Sequence, residues 1–171
     1  MKLTNKSKAD PSTNDDLTTK EFIRRGIASH RQGMSDVRKL LRESDNAATA
    51  ALAESAPPNL IEFWAACLQI PQGYTVSYAT LSRVIQGVRG EQTEVAKLSR
   101  AAGKAMSLNP MIPTIPCHRV VGANGVIVGF TDEGATYTLA MKAARLTGEG
   151  VPVEQSGERF IVRRHSGRLL N

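Results

Sequence analysis

The stretch Thr114-Ile115-Pro116-Cys117-His118-Arg119-Val120-Val121-Gly122 carries the densest chemistry in the chain. A cysteine thiol is a weak nucleophile at neutral pH, because a pKa near ~8.5 leaves only a few per cent as thiolate. His118 beside Cys117 supplies a base, Pro116 a fixed backbone approach, and Arg119 positive potential that favours the thiolate. On chemistry alone, Cys117 is either a functional nucleophile or an ordinary buried thiol, since free cysteine also behaves as a small apolar core residue.

Working outward, Asn109-Pro110 precedes the cysteine, and Asn124-Gly125 followed by Gly129-Phe130 comes after it. Asn-Pro, a short spacer, Cys-His-Arg-Val-Val and a glycine-marked turn together closely resemble the active-site segment of the O6-alkylguanine-DNA alkyltransferases. These repair proteins move an alkyl group from damaged guanine onto their own cysteine. The resemblance covers residues from about 60 to 151. It implies a mainly α fold with a small β component: a winged-helix-like helix-turn-helix domain, preceded here by a helical N-terminal segment. The implied activity is irreversible, single-turnover transfer from O6-alkylguanine in double-stranded DNA, with O4-alkylthymine as a further candidate substrate.

The resemblance also implies roles. Cys117 is the acceptor, His118 takes its proton through a water molecule, and Glu149 polarises the histidine. Read by itself, Glu149 is a solvated acid near a helix end; only the likeness of residues 142–151 to the family's closing helix and Glu-Gly singles it out. Tyr78 matches the tyrosine that helps rotate the nucleotide, and Asn109 the asparagine that buttresses the active-site turn. The alkylated base must leave the stack to meet a thiol, and Arg100 matches the arginine that takes its place. Arg100, Ala101, Ala102, Gly103 and Lys104 match the recognition helix, which in the family enters the minor groove. Small residues there allow close backbone approach, or else tight helix packing, while Lys97, Arg100 and Lys104 can reach phosphates. Thr131 sits where a backbone amide contacts the guanine oxygen, and Phe130 replaces the tyrosine common beside it. Arg119 either binds DNA or anchors the active-site loop, the second being favoured.

Bulk properties agree with one domain of ordinary size. The 171 residues carry 22 Lys and Arg against 16 Asp and Glu, a net charge of +6 that suits a polyanionic partner as well as a merely soluble basic protein. The chain is 41% hydrophobic, without a run long enough for a membrane span. A lysine-rich start with no apolar segment behind it is not a secretory signal. Cys67 and Cys117 suit a reduced, intracellular setting, cytoplasm or nucleus. His30, His118 and His165 do not stand at zinc-finger spacing, so neither metal nor cofactor is expected. A monomer is expected, and His30 and His165 read as surface residues.

Along the chain, residues 1–17 are polar and expected to be disordered. Residues 18–56 form the helical segment: a capping box at Thr18-Thr19-Lys20-Glu21, a second helix start at Ser35, and an alanine-rich third helix. Residues 57–151 form the alkyltransferase domain after the Pro57-Pro58-Asn59 boundary. It opens on a helix whose apolar face includes Trp64 and Cys67 as core residues. Helices are then expected over 78–86, 93–108 and 137–147, the last offering Leu139, Met141 and Leu146 for packing. A hairpin with a tight Asn-Gly turn is expected over 120–128. Residues 152–171 form a basic extension with one strand near 159–164.

Two departures from the family pattern border the site. Extra residues around 87–92 predict a longer turn in the helix-turn-helix, with Arg89 available to DNA. A shorter insertion at 131–136 lengthens one pocket wall. The alternative function is that of the alkyltransferase-like proteins, which bind and flag alkylated DNA without repairing it and carry tryptophan in place of the cysteine. Cys117 argues against it. A thiol enzyme acting on small molecules would need neither recognition helix nor arginine plug.

Overall fold

Thr18 starts the first helix, α1 (Thr19–Arg42), by accepting the Glu21 amide on its side-chain oxygen at 3.2 Å. The computed structural model describes residues 17–90, 92–129 and 138–163, and the backbone of 169–170. Most of the expected N-terminal tail, His165, Phe130, Thr131 and the insertion at 131–136 lie outside the described residues.

α1 runs unbroken where the sequence predicts a second helix start at Ser35. Its buried residues Phe22, Gly26, His30, Gly33, Val37 and Leu41 recur every three or four positions, one continuous face of a single helix. Gly33 serves a crossing. A Cβ there would lie 3.3 Å from both the Cβ and the carbonyl oxygen of Ala65 on α3 (Pro58–Leu68), so the glycine lets the two helices approach. His30 faces the same way and is 4% exposed, which corrects its expected surface position.

α2 (Ala47–Ser55) is capped by the Asn46 side chain, which accepts the Thr49 amide at 3.0 Å. α3 begins with Pro58, whose missing N–H costs nothing in a first turn. It buries Ile61, Phe63, Trp64 and Cys67, and the Trp64 indole N–H donates to the Ala105 carbonyl at 2.8 Å. α1 packs on α2, α3 and α4 (Tyr78–Arg89), and α4 on α5 (Val95–Ser107). One apolar core contains Phe22, Val37 and Leu41 together with Ile61, Trp64, Leu81, Ile85 and Met106.

The helix-turn-helix is α4 and α5. Its extra residues are spent partly as helix: α4 continues to Arg89, and Gly90 ends it in the left-handed region at φ 63°. Arg89 does not stand free for DNA; its guanidinium is paired with Glu62 of α3.

Two small sheets complete the fold. β1 (Thr75–Ser77) lies between β2 (Val120–Val121) and β5 (Leu169–Leu170), parallel to both. The expected Asn-Gly turn forms, with Asn124 at φ 58° and Gly125 at 79°, and Val126 N–H donating to the Ala123 carbonyl at 3.3 Å. One bond closes the turn, Gly122 N–H to the Val126 carbonyl at 2.7 Å, but its arms do not continue into the expected hairpin, because each pairs elsewhere. Val120 pairs with Val76, whereas Val126 bridges to Ile161. The basic extension is itself an antiparallel hairpin of β3 (Val153–Ser156) and β4 (Arg159–Val162), not one strand. Between them in sequence, α6 (Leu139–Gly148) is capped by Thr138 and buries Lys142, Ala143 and Leu146. Met141, expected to pack, is 43% exposed.

Candidate active site

Parallel pairing of β1 with β2 sets Ser77 opposite Val121, so the residue entering α4, Tyr78, stands beside the chain that runs from Cys117 to Gly122. Pro116 bends that chain. With φ −82° and ψ 61° it centres a tight turn in which Cys117 N–H donates to the Ile115 carbonyl at 2.8 Å. Arg119 N–H then donates to Pro116 at 2.9 Å, closing a 3-10 turn over Cys117–Arg119. Asn109 braces the approach: its amide nitrogen donates to Ile115 at 2.7 Å, and its oxygen accepts Met111 N–H at 3.0 Å.

The Cys117 side chain is 0% exposed. Burial pushes its thiol above the ordinary range, although the Asn109 amide, Lys142, its own backbone N–H and Arg145 all favour the thiolate. His118 is 2% exposed, and burial lowers its ring, against the opposing pull of Glu149. Burial tends to raise the Glu149 carboxyl, but hydrogen bonds from Arg119 and His118 outweigh it and hold the group below the usual carboxylate range. An ionised carboxylate only accepts, so the 2.7 Å contact between His118 Nε2 and Glu149 Oε1 assigns the ring proton to Nε2. Nδ1 is then the basic nitrogen, and among the described residues it has no hydrogen-bond partner.

Arg119 anchors rather than reaches out. It grips both oxygens of Glu149 at 2.9 Å and donates to the Ile70 carbonyl at 2.6 Å, tying the end of α3 and the end of α6 to the 3-10 turn. Lys142 was missed by sequence reasoning. It is 0% exposed, donates to the Val128 carbonyl at 2.8 Å, and is lowered by burial while negative charge at Cys117 would raise it. The signal was its place between Leu139, Ala143 and Leu146, at helical spacing on an apolar face. Tyr78 is pushed well up by burial, with Cys117 the next contributor, so its phenol stays protonated.

On α5, Lys97, Arg100 and Lys104 are exposed along one side, with Ala101 and Gly103 half-buried beside them. Ala102 is a correction: it is 0% exposed and belongs to the core side of the helix, so its side chain is not on the outer surface. A Cβ at Gly103 would meet nothing within 4 Å, so packing inside the protein does not require that glycine. Between α4, α5 and the Asn-Gly turn lies a cleft of about 450 Å³ lined by Ser77, Tyr78, Arg83, Ser99, Gly122 and Asn124. Arg83 and Ser99 carry no signal in the sequence that singles them out, whereas Asn124 is marked there only as a turn residue. Among the described residues no group of three or more acidic, histidine or cysteine side chains is placed to hold a metal, and no helix is long and apolar enough to cross a membrane.

Fold and site define a helix-turn-helix domain with an arginine on its outer helix, and behind it a buried cysteine and histidine joined by a half-buried glutamate. The chain belongs to the family described as "6-O-methylguanine DNA methyltransferase, DNA binding domain", which matches residues 60–151. Over 67 residues it is 40% identical to the methylated-DNA–protein-cysteine methyltransferase of Mycobacterium leprae, covering 39% of this chain and 36% of that protein. The Methanosarcina mazei protein of the same name is 39% identical over 67 residues, and the inducible one of Bacillus subtilis 37%. The aligned part is thus about a third of these relatives' length. Among solved structures, S. pombe Atl1 in complex with damaged DNA containing O6-carboxymethylguanine shares the fold, with a TM-score of 0.52 and 21% identity over 66% of this chain and 94% of that one.

Proposed function

We propose that this protein repairs O6-alkylguanine in double-stranded DNA by transferring the alkyl group, once and irreversibly, to Cys117. The observation that carries the reading is the series of buried Cys117, buried His118 and half-buried Glu149, in which Glu149 engages His118 Nε2 and leaves Nδ1 as the base. The Cys117 proton passes to His118 through a water molecule. Sulfur attacks the alkyl carbon, the carbon–oxygen bond breaks, and its electron pair leaves on the guanine oxygen. The proton lost from sulfur ends on the released base, so the exchange is S–H and O–alkyl for S–alkyl and guanine. Tyr78, held neutral, donates a hydrogen bond to the base without surrendering its proton.

Recognition follows from α5. Lys97 and Lys104 meet phosphates, Ala101 and Gly103 let the backbone approach the groove, and Arg100 fills the gap left by the extruded nucleotide, offsetting part of an unstacking cost of a few kcal/mol. Asn109 holds the turn that presents the thiol. Thr131 is proposed to offer its amide to the guanine oxygen. Residues 18–56 serve as a scaffold for α3 and α4, and the protein acts as a monomer in a reducing compartment.

One observation favours a second reading. A thiol that is 0% exposed and pushed toward its protonated form is what a protein that only binds and flags the lesion would tolerate. Intact mass after incubation with duplex DNA carrying one O6-methylguanine separates the two. A stoichiometric gain of one methyl, mapped to Cys117, is the expected result. Tight lesion binding with no gain would establish the flagging role instead. Cys117→Ser is expected to abolish transfer with DNA affinity unchanged within about twofold; a methylated Cys117→Ser protein would sink the assignment.

A further inference from the structure

The cleft has two walls from distant parts of the chain: Ser77 and Tyr78 at the end of β1, and the turn Gly122, Ala123, Asn124. Both walls are tied to residues that follow Val151. On one side β5 pairs in parallel with β1, Leu169 opposite Thr75 and Leu170 opposite Val76. On the other, the exit of the turn pairs with β4: Val126 bridges Ile161, and Ile127 N–H donates to the Phe160 carbonyl at 2.8 Å. The hairpin is fixed in turn, since Val162 is 1% exposed in a core shared with Val121, Ile127, Leu146 and Val151. The family match ends at residue 151, so none of these partners belongs to the matched region.

Strands of two and three residues hold little register by themselves. β1 has only the two-residue β2 on one side, so its other edge needs β5 to satisfy the backbone groups of Thr75 and Val76. Tyr78 follows β1 directly, and any slip of the strand moves the phenol relative to the Asn-Gly turn. Displacements of about 1 Å can cost roughly 100-fold in rate.

We propose that the β3–β4 hairpin and β5 form a positioning strap for the site, the hairpin pairing with the exit of the Gly122–Asn124 turn and β5 with the strand that leads into Tyr78. What that positioning serves rests on the alkyl-transfer reading; the pairing itself does not. The strap acts through main-chain hydrogen bonds, so it tolerates a change of side chain and fails when an amide is removed.

The test compares Leu169→Pro/Leu170→Pro with Leu169→Val/Leu170→Val in the full chain. Proline removes the backbone N–H, whereas valine keeps it. Single-turnover methyl transfer at saturating lesion DNA is expected to fall about tenfold or more in the proline variant and stay within about twofold in the valine variant. DNA affinity should match the unmodified protein in both, and the melting temperature should fall in the proline variant alone while cooperative unfolding is kept. Equal rates in all three proteins would overturn the proposal, as would an equal loss in the valine variant. Amide hydrogen exchange on the unmodified protein decides the pairing without any variant: Val76 and Leu170 should be protected together, and exchange of residues 169–170 at unfolded-chain rates would overturn it. If the unmodified protein transfers no methyl group, the repair reading fails while the exchange result still stands for the strap.

Discussion

Glu149 Oε1 lies 2.7 Å from His118 Nε2, and Arg119 grips both oxygens of the same carboxylate. One acid at the end of α6 therefore orients two consecutive residues of the turn that carries Cys117. The carboxylate is partly shielded, and its ionised state dictates which ring nitrogen of His118 is left basic.

Glu149→Gln should uncouple these functions. A glutamine can donate as well as accept, so it no longer forces the Nε2–H tautomer, and it loses the charge that Arg119 binds. Single-turnover transfer is expected to fall about 10²-fold, with a loss of about 1–3 kcal/mol in urea unfolding from the weakened Arg119 contact. An unchanged rate would remove Glu149 from the mechanism.

Arg100→Ala tests the plug. The side chain is exposed on α5, so folding stability should stay within about 0.5 kcal/mol. The proposed role predicts slower transfer on duplex DNA and a smaller loss on single-stranded DNA, where no base has to be replaced in a stack. Equal losses on both would mean that Arg100 only contacts phosphate.

Gly103→Ala is expected to help the free protein and harm the complex. The new Cβ meets nothing within 4 Å, and alanine in a helix interior gains about 0.5–1 kcal/mol over glycine. A methyl group on the outer face would hold the backbone away from a DNA groove. Higher melting temperature with weaker DNA affinity is the expected pair; tighter or unchanged affinity would show that this face does not meet DNA closely.

His30 gives a pH dependence. Burial holds its ring below the ordinary value of ~6.5, and neither ring nitrogen has a partner among the described residues, with Glu62 and Arg89 the charged groups that act on it. As pH falls from about 6.5, the unfolded chain takes up a proton that the folded one refuses, so stability is present above that value and is lost on acidification. His118, also lowered, acts in the same direction. His30→Leu should raise stability at neutral pH by about 1 kcal/mol and flatten the acid side of the profile, leaving the part due to His118. An identical profile would show that His30 does not contribute.

What the sequence made legible was local. The Pro-Cys-His-Arg string, the Thr18 cap and the tight Asn124-Gly125 turn are each settled by neighbours in the chain. What it hid depends on contacts between distant segments. Ser35 reads as a new helix start until α1 is seen to bury one continuous face, and His30 reads as surface until that face is covered. Ala102 and Gly103 look alike as small residues, and only the roll of α5 on the core separates a buried one from an open one. The turn after Cys117 was read correctly and its strands wrongly, because partners for Val120 and Val126 lie some forty residues away in opposite directions. Lys142 was passed over because a lysine in a helix is normally solvated, and nothing nearby announces the carbonyl of Val128.

The crossing of α1 over α3 and α4 decides how portable this domain is. Gly26 faces Val84 and Gly33 faces Ala65, each so closely that a side chain would intrude. The outer surfaces of α3 and α4 are thus shaped as an inside, apolar and fitted to a particular helix. Transplanting the region 60–151 into another protein means carrying α1 with it, or redesigning Val84, Ala65 and their neighbours to face water.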